Sequence, residues 1–232
     1  MSEEKPKVLF VYYTFTKQTG LVVDVMAEEL GARGYDVTKS ALEFPDERYG
    51  GRFSKLPMSW PIWNIVRMLP AQLRRKTGEI GIPPEAQQGG YDLVVFGSPT
   101  WWLTTCMPVR SYLHSPAAKA VLGETPFAAV SVSRRYYKGN LGDIRKLGER
   151  AGGSWVGGTH FVADGNQVSS MASWLVFMRK NEPRSRYFDV RLPRPNLKVD
   201  FAEQARSFAH ELADRASSSS AAEPERERDA TR

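Results

Sequence analysis

Two stretches decide the fold: Lys7-Val8-Leu9-Phe10-Val11-Tyr12-Tyr13-Thr14-Phe15-Thr16-Lys17-Gln18-Thr19 and Tyr91-Asp92-Leu93-Val94-Val95-Phe96-Gly97-Ser98-Pro99-Thr100-Trp101-Trp102. Each begins as a short run of β-branched, aliphatic and aromatic residues, the signature of a buried parallel strand. Their tails differ. The first is a cluster of small hydroxyls that leads straight into a helix, and a helix start with hydroxyl side chains suits a phosphate. The second is a tight turn that presents two indoles, which suit a flat aromatic ring. Taken together they point to a phosphate-bearing aromatic cofactor held between the two tails.

Working outward, strands and helices alternate. A helix is predicted from about Thr19 to Ala32, with Leu21, Val22, Val25, Met26 and Leu30 on one face and Gly31 and Gly34 at its end. Tyr35–Ser40 is a second strand, Leu93–Phe96 the third, Phe127–Ser133 the fourth and Trp155–Val162 the fifth. Between them fall a helix within Met107–Leu122, with a break near Pro116, and one at Leu141–Ala151 ahead of Gly152-Gly153. Val199–Ala216 closes the series, with Phe201, Ala205, Phe208, Ala209 and Leu212 on one side. This alternation predicts a parallel sheet covered by helices on both faces.

Two segments break the rhythm. Residues 44–90 are rich in proline, glycine and tryptophan, and within them Ser59 is placed to cap a short helix whose first turn holds Pro61. Residues 165–197 hold one helix, Val168–Lys180. The expected organisation is one domain over 1–216 carrying both segments as insertions. A Ser-rich and then Glu/Arg-rich stretch at 217–232 reads as a disordered tail.

Of the 232 residues, 41% are hydrophobic and 25% charged, a globular composition, and no run approaches the roughly 20 apolar residues of a membrane span. Met1–Pro6 lacks an apolar signal core, and the one cysteine, Cys106, has no intramolecular partner, so a cytoplasmic protein is expected. Three scattered histidines and one cysteine argue against a metal site. The net charge of +6 is local in origin. Residues 44–88 carry seven Lys/Arg against four Asp/Glu, and 165–197 carry six against two. Basic insertions point to a local anionic partner, such as an anionic cofactor or a lipid headgroup. No nucleic-acid motif accompanies the arginines, so nucleic acid is not expected as a partner.

Thr14-Phe15-Thr16-Lys17-Gln18-Thr19 after Tyr12-Tyr13 resembles the phosphate loop of the flavodoxin-like FMN-binding proteins, whose pattern is Ser/Thr-x-Thr-Gly-x-Thr. Lys17 stands where that family has glycine. Gly97-Ser98-Pro99-Thr100-Trp101-Trp102, followed by Pro108-Val109-Arg110-Ser111-Tyr112-Leu113, resembles the family's second flavin loop and the helix after it. The resemblance implies a doubly wound five-stranded parallel sheet of order 2-1-3-4-5, with both insertions at the C-terminal edge. FMN is expected at the switch point between strands 1 and 3, an arrangement for which flavodoxin itself is the known example. It also implies a site made of three loops. Thr14, Thr16, Lys17, Gln18 and Thr19 would hold the phosphate. Ser98, Pro99, Thr100, Trp101 and Trp102 would flank the ring, with Trp101 as the stacker. Ser133, Arg134, Arg135, Tyr136 and Tyr137 would form a third wall.

Each loop alone has a plainer meaning. A Thr-rich strand-to-helix turn is often only a helix cap, and indoles beside a turn are often core. Cys106 reads as a buried small residue, and His114 and His160 as ordinary fold residues. The resemblance implies an FMN-dependent oxidoreductase that moves electrons or hydride from NADPH or NADH to a small-molecule redox substrate, quinone-like or otherwise hydrophobic. Two alternatives stay open: a one-electron carrier of the flavodoxin type, and an FMN-free binding module with the same fold. Peripheral membrane contact through the basic insertions and a homo-oligomer are further expectations.

Overall fold

The computed structural model describes residues 4–50, 53, 56–163, 167–181, 186–187, 190–191 and 197–229, with the side chains of 167–168, 186–187, 190–191 and 216–229 outside the description. Five parallel strands, β1 (Lys7–Tyr12), β2 (Asp36–Ala41), β3 (Leu93–Trp101), β5 (Pro126–Ser133) and β6 (Ser154–Val162), lie in the order β2-β1-β3-β5-β6. Counting parallel strands alone, this is 2-1-3-4-5. A two-residue strand, β4 (Thr104–Thr105), folds back antiparallel on the end of β3. The short pair β7 (Arg186–Tyr187) and β8 (Val190–Arg191) stands apart from the sheet.

Strand alternation sorts side chains to two faces. Val8, Phe10, Leu93, Val95, Ala128 and Val130 face one way, under α1 (Gln18–Ala32) and α7 (Phe201–Asp229). Leu9, Val11, Val94, Phe96, Phe127 and Ala129 face the other. There they meet α3 (Met107–Leu113), α4 (Pro116–Leu122) and α5 (Lys138–Arg150). The predicted break near Pro116 falls between α3 and α4, where Ser115 caps the second helix by accepting a hydrogen bond from the Ala118 N–H at 3.2 Å. The last helix extends past Ala216 to Asp229, into the stretch whose composition reads as a disordered tail. Its Ala, Glu and Arg residues are good helix formers, whereas Ser217–Ser220 and Pro224 are not.

The segment 44–90 contributes α2 (Pro61–Leu73), the segment 165–197 α6 (Gln167–Lys180), and the two helices pack on each other. The predicted cap at Ser59 is corrected. Trp60 is the N-cap, in the left-handed region at φ 54°, and no side chain caps the helix. Ser59 instead offers its carbonyl to Asn64 Nδ2 at 2.8 Å.

Two polar clusters organise the segment 44–90, one closing it on itself and the other joining it to the β3–β4 hairpin. Buried Asp46 accepts from the N–H groups of Glu79, Arg48 and Tyr49 at 2.8, 2.9 and 3.1 Å. Burial alone would raise its pKa, but these bonds and the Arg48 guanidinium outweigh burial and hold it below the usual aspartate value. The second centres on Arg110, only 2% exposed. Its guanidinium donates to Thr105 O (2.7 Å), Thr104 Oγ1 (2.9 Å) and Lys76 O (3.1 Å). Gln72 of α2 completes the knot, with Nε2 donating to Thr105 O at 2.6 Å and Thr104 Oγ1 at 2.7 Å. These groups are satisfied inside the core by neutral oxygens, so α2 is fastened to the β3–β4 hairpin through hydrogen bonds rather than through packing alone.

Candidate functional site

A cavity of about 230 Å³ opens at the C-terminal ends of β1, β3 and β5. Its position follows from the strand order, because connections leave on opposite sides of β1 and β3 and a crevice forms between them.

The β1 tail supplies the first wall. The chain enters α1 through Lys17, whose φ is 62°, the left-handed conformation that glycine adopts without penalty. The helix start turns toward the cavity, and Thr16, Gln18 and Thr19 line it. Thr14 does not. Its Oγ1 accepts from the Gly20 N–H at 3.3 Å, so it acts as a cap within the turn. Lys17 is exposed and also lies outside the lining. Close approach of α1 to the sheet depends on Gly97. A Cβ there would stand 2.7 Å from Tyr12 Cβ and 3.0 Å from Thr19 Cγ2.

The second wall comes from β3, which the sequence pattern ends at Phe96 but which runs on to Trp101. Pro99, Thr100, Trp101 and Trp102 line the cavity. Trp101 is anchored from behind by Phe53, Tyr13 and Phe44, with ring centroids at 5.2, 5.8 and 6.2 Å. It is therefore half-buried, packed against the core on one side while it lines the cavity. Trp102 sits in the hairpin turn at φ 56°. Ser98 is fully buried and faces away, bonded to Thr105 Oγ1 at 2.9 Å. Below this wall Asn140 Nδ2 bridges Ser131 Oγ (2.9 Å), Ser98 O (3.0 Å) and Thr100 Oγ1 (3.1 Å), locking the ends of β3 and β5 to α5.

The third wall follows β5, where Ser133, Arg134, Arg135 and Tyr136 line the cavity. Ser133 Oγ is buried and has no hydrogen-bond partner among the described residues. Arg134 Nη1 donates to the backbone oxygen and, at 3.1 Å, to the Oγ of Ser170, and its guanidinium lies 4.7 Å from the Trp174 ring centroid. Burial pulls its pKa down to about 10. Tyr137 does not reach the cavity. It stacks on His160 with centroids 3.4 Å apart and planes 8° from parallel, and burial lowers the pKa of that histidine.

Sequence reasoning missed Phe15, Phe53, Ile65 and Met171, which also line the cavity. Of the segment 165–197, Trp174 and Met171 line it. Of the segment 44–90, Ile65 does so while Trp60 and Trp63 point to solvent. Ile65 shares the inward side of α2 with Met68 and Gln72, three and seven residues on, and that spacing was the available signal. Arg179 and Lys180 are exposed and outside the cavity. Arg52, Lys55, Arg184 and Arg194 lie outside the described residues, as does the side chain of Arg186. Cys106 is buried and hydrogen-bonded with Ser98, and burial drives its pKa to about 11, which leaves it an inert thiol. Among the described residues no cluster suits a metal ion.

No protein-family model matches the sequence. No curated protein matches it significantly. Among solved structures, a flavoprotein from Lactobacillus acidophilus in complex with FMN is similar over 67% of this chain and 93% of its own, at 18% identity and a TM-score of 0.49. Flavodoxin 1 of Bacillus cereus covers 90% of this chain and 97% of its own, at 10% identity and a TM-score of 0.49. A flavodoxin from the domain Archaea covers 91% and 99%, at 8% identity and a TM-score of 0.48. The parallel order 2-1-3-4-5 and the helices on both faces of the sheet make the fold of this chain flavodoxin-like.

Proposed function

We propose that the chain binds FMN in this cavity and carries electrons or hydride from NADPH or NADH to a quinone-like or other hydrophobic acceptor. The observation that carries the reading is the convergence of three loops on one cavity: a helix start with hydroxyls, a pair of indoles, and a polar wall with arginines. The residues present fit the group. Thr16, Gln18, Thr19 and the first N–H groups of α1 form an anion-binding end. Trp101, Trp102 and Tyr136 form aromatic walls for a ring. Ser133 Oγ, buried and without a partner among the described residues, is a hydroxyl poised to bond a polar edge of a ring.

When bound, the flavin supplies the hydride and electron chemistry, and the protein supplies position and electrostatics. Thr16, Gln18 and Thr19 orient the phosphate end. The Asn140 network holds the backbone of Ser98 and the side chain of Thr100 in place at the ring end. Ile65, Met171 and Trp174, all from the insertions, keep water from the mouth and favour an apolar acceptor. Arg134 is committed to Ser170 and Trp174, so it braces α6 against the third wall.

An absorbance spectrum of the purified protein with added FMN tests the reading. Bound flavin should appear in the wild type and be lost in Thr16→Glu, which sets a carboxylate against the phosphate, while the circular dichroism of the variant stays native. A colourless wild type, or undiminished FMN affinity in Thr16→Glu, would overturn it. The one-electron carrier makes a different forecast, with two well-separated potentials in a redox titration and no turnover with NADPH or NADH.

A further inference from the structure

Helix α2 is apolar on two sides, and only one of them is covered. Its inner side buries Pro61, Met68 and Gln72 and turns Ile65 to the cavity. On the adjoining flank, each one residue on from Pro61, Ile65 and Gln72, Ile62, Val66 and Leu73 are 61%, 50% and 61% exposed. Trp63 beside them is 60% exposed, and Trp60 at the helix cap is 80% exposed. A helix that meets only water carries charged and polar residues on that side. This one carries two indoles and three aliphatic side chains.

Cations surround the stripe. Arg67 lies on the same helix, Arg74 is its C-cap and Lys76 follows it, all exposed. At the other end the Met58 N–H donates to Met178 O at 2.7 Å, which seats the end of α6 beside the start of α2. That end carries exposed Arg179 and Lys180. Among the described residues none of these five cations is ion-paired. No helix of the described residues is long and apolar enough to cross a membrane.

We infer that this face docks on the surface of an anionic lipid bilayer, with α2 lying in the interface plane. Indoles and aliphatics on one side of a short helix bury themselves at the boundary of headgroups and acyl chains, and flanking Lys and Arg bind acidic headgroups. The charge pattern selects this occupant over a second copy. A two-fold contact sets a patch against itself, so it would bring the unpaired cations of one copy toward those of the other. The inference stands on the surface of α2 and α6 and does not depend on the cofactor.

The test is co-sedimentation of the full chain with vesicles of phosphatidylcholine alone and of phosphatidylcholine mixed with phosphatidylglycerol, with sizing of the free protein in parallel. Binding is expected to the mixed vesicles, weakening as salt rises, with a blue shift of tryptophan fluorescence. Trp60→Ala and Trp63→Ala should each lower partitioning by about tenfold or more, since each removes an indole from the apolar phase. Both side chains are largely exposed, so the variants keep the fold, and unchanged thermal melts confirm it. Arg67→Glu with Arg74→Glu should remove the preference for phosphatidylglycerol. Absence of binding to either vesicle overturns the inference. So does binding that the tryptophan variants leave intact, which is adsorption by charge alone. A dimer in solution that the tryptophan variants dissociate also overturns it, because the face is then covered by another copy.

Discussion

Replacing Lys17 by glycine should stabilise the protein, against the usual expectation for a substitution at the head of a helix. Lys17 holds φ 62°, a conformation that costs an L-residue about 1–2 kcal/mol. Glycine removes that term but gives back about 0.5–1 kcal/mol through its greater freedom in the unfolded chain. The net expectation is a gain of about 0.5–1 kcal/mol, or about 1–4 °C in Tm for a chain of this size. Lys17→Ala is the control. It removes the ammonium but keeps a Cβ in the left-handed region, so its stability should stay within about 0.5 kcal/mol of wild type. Because Lys17 is exposed and outside the cavity wall, FMN affinity should survive both changes. Differential scanning calorimetry and FMN titration on the three proteins give the answer. A fall in Tm for Lys17→Gly, or an equal rise for Lys17→Ala, would refute the strain argument.

Trp101→Ala should lower stability by about 2–4 kcal/mol as well as weakening FMN by one to two decades, since the indole packs on Tyr13, Phe44 and Phe53. An unchanged Tm would show that it is not part of the core. Gly139→Ala should destabilise by about 1–3 kcal/mol, because its Cβ would overlap the carbonyl oxygen of Leu103 and force the hairpin away from α5. Chemical denaturation measures this. Cys106 should resist a disulfide reagent at pH 8 in the native protein and react on unfolding. Its thiol is raised from 9.0 to about 11 by burial, so the unfolded chain ionises first, and the stability it protects is present below pH 9 and lost as pH rises through 11. Rapid labelling of the native state would contradict that burial.

The sheet was legible because its determinants are local. Runs such as Val8–Val11 and Leu93–Phe96 alternate between two cores, and the helices between them show most of their buried faces at regular spacing, although Leu21, expected on the inner face of α1, is 50% exposed and Val23 is buried instead. The left-handed backbone at Lys17 was legible too, since it stands at the glycine of a known loop pattern. What escaped depended on partners distant in the chain. The extension of β3 to Trp101 needs Thr105 opposite Thr100. Tyr137 leaves the site because His160, on another strand, offers it a ring to stack on. The split of α2, with Ile65 inward and Trp63 outward, is set by what lies beneath the helix, and a helix with apolar residues on more than one side does not announce which of them that is.

The Arg110 knot bears on how α2 and its flanks could be moved between proteins. Its anchor is not contained in the segment 44–90. Arg110, Thr104 and Thr105 belong to the β3–β4 hairpin and α3, and only Gln72 and the Lys76 carbonyl travel with the segment. Transplanting residues 44–90 alone into another sheet of this order would carry α2 without its receptor and strand the Gln72 amide in an apolar seat. A successful chimera needs a composite module in which the hairpin and the first turn of α3 accompany the loop, so the transferable unit is wider than the segment itself.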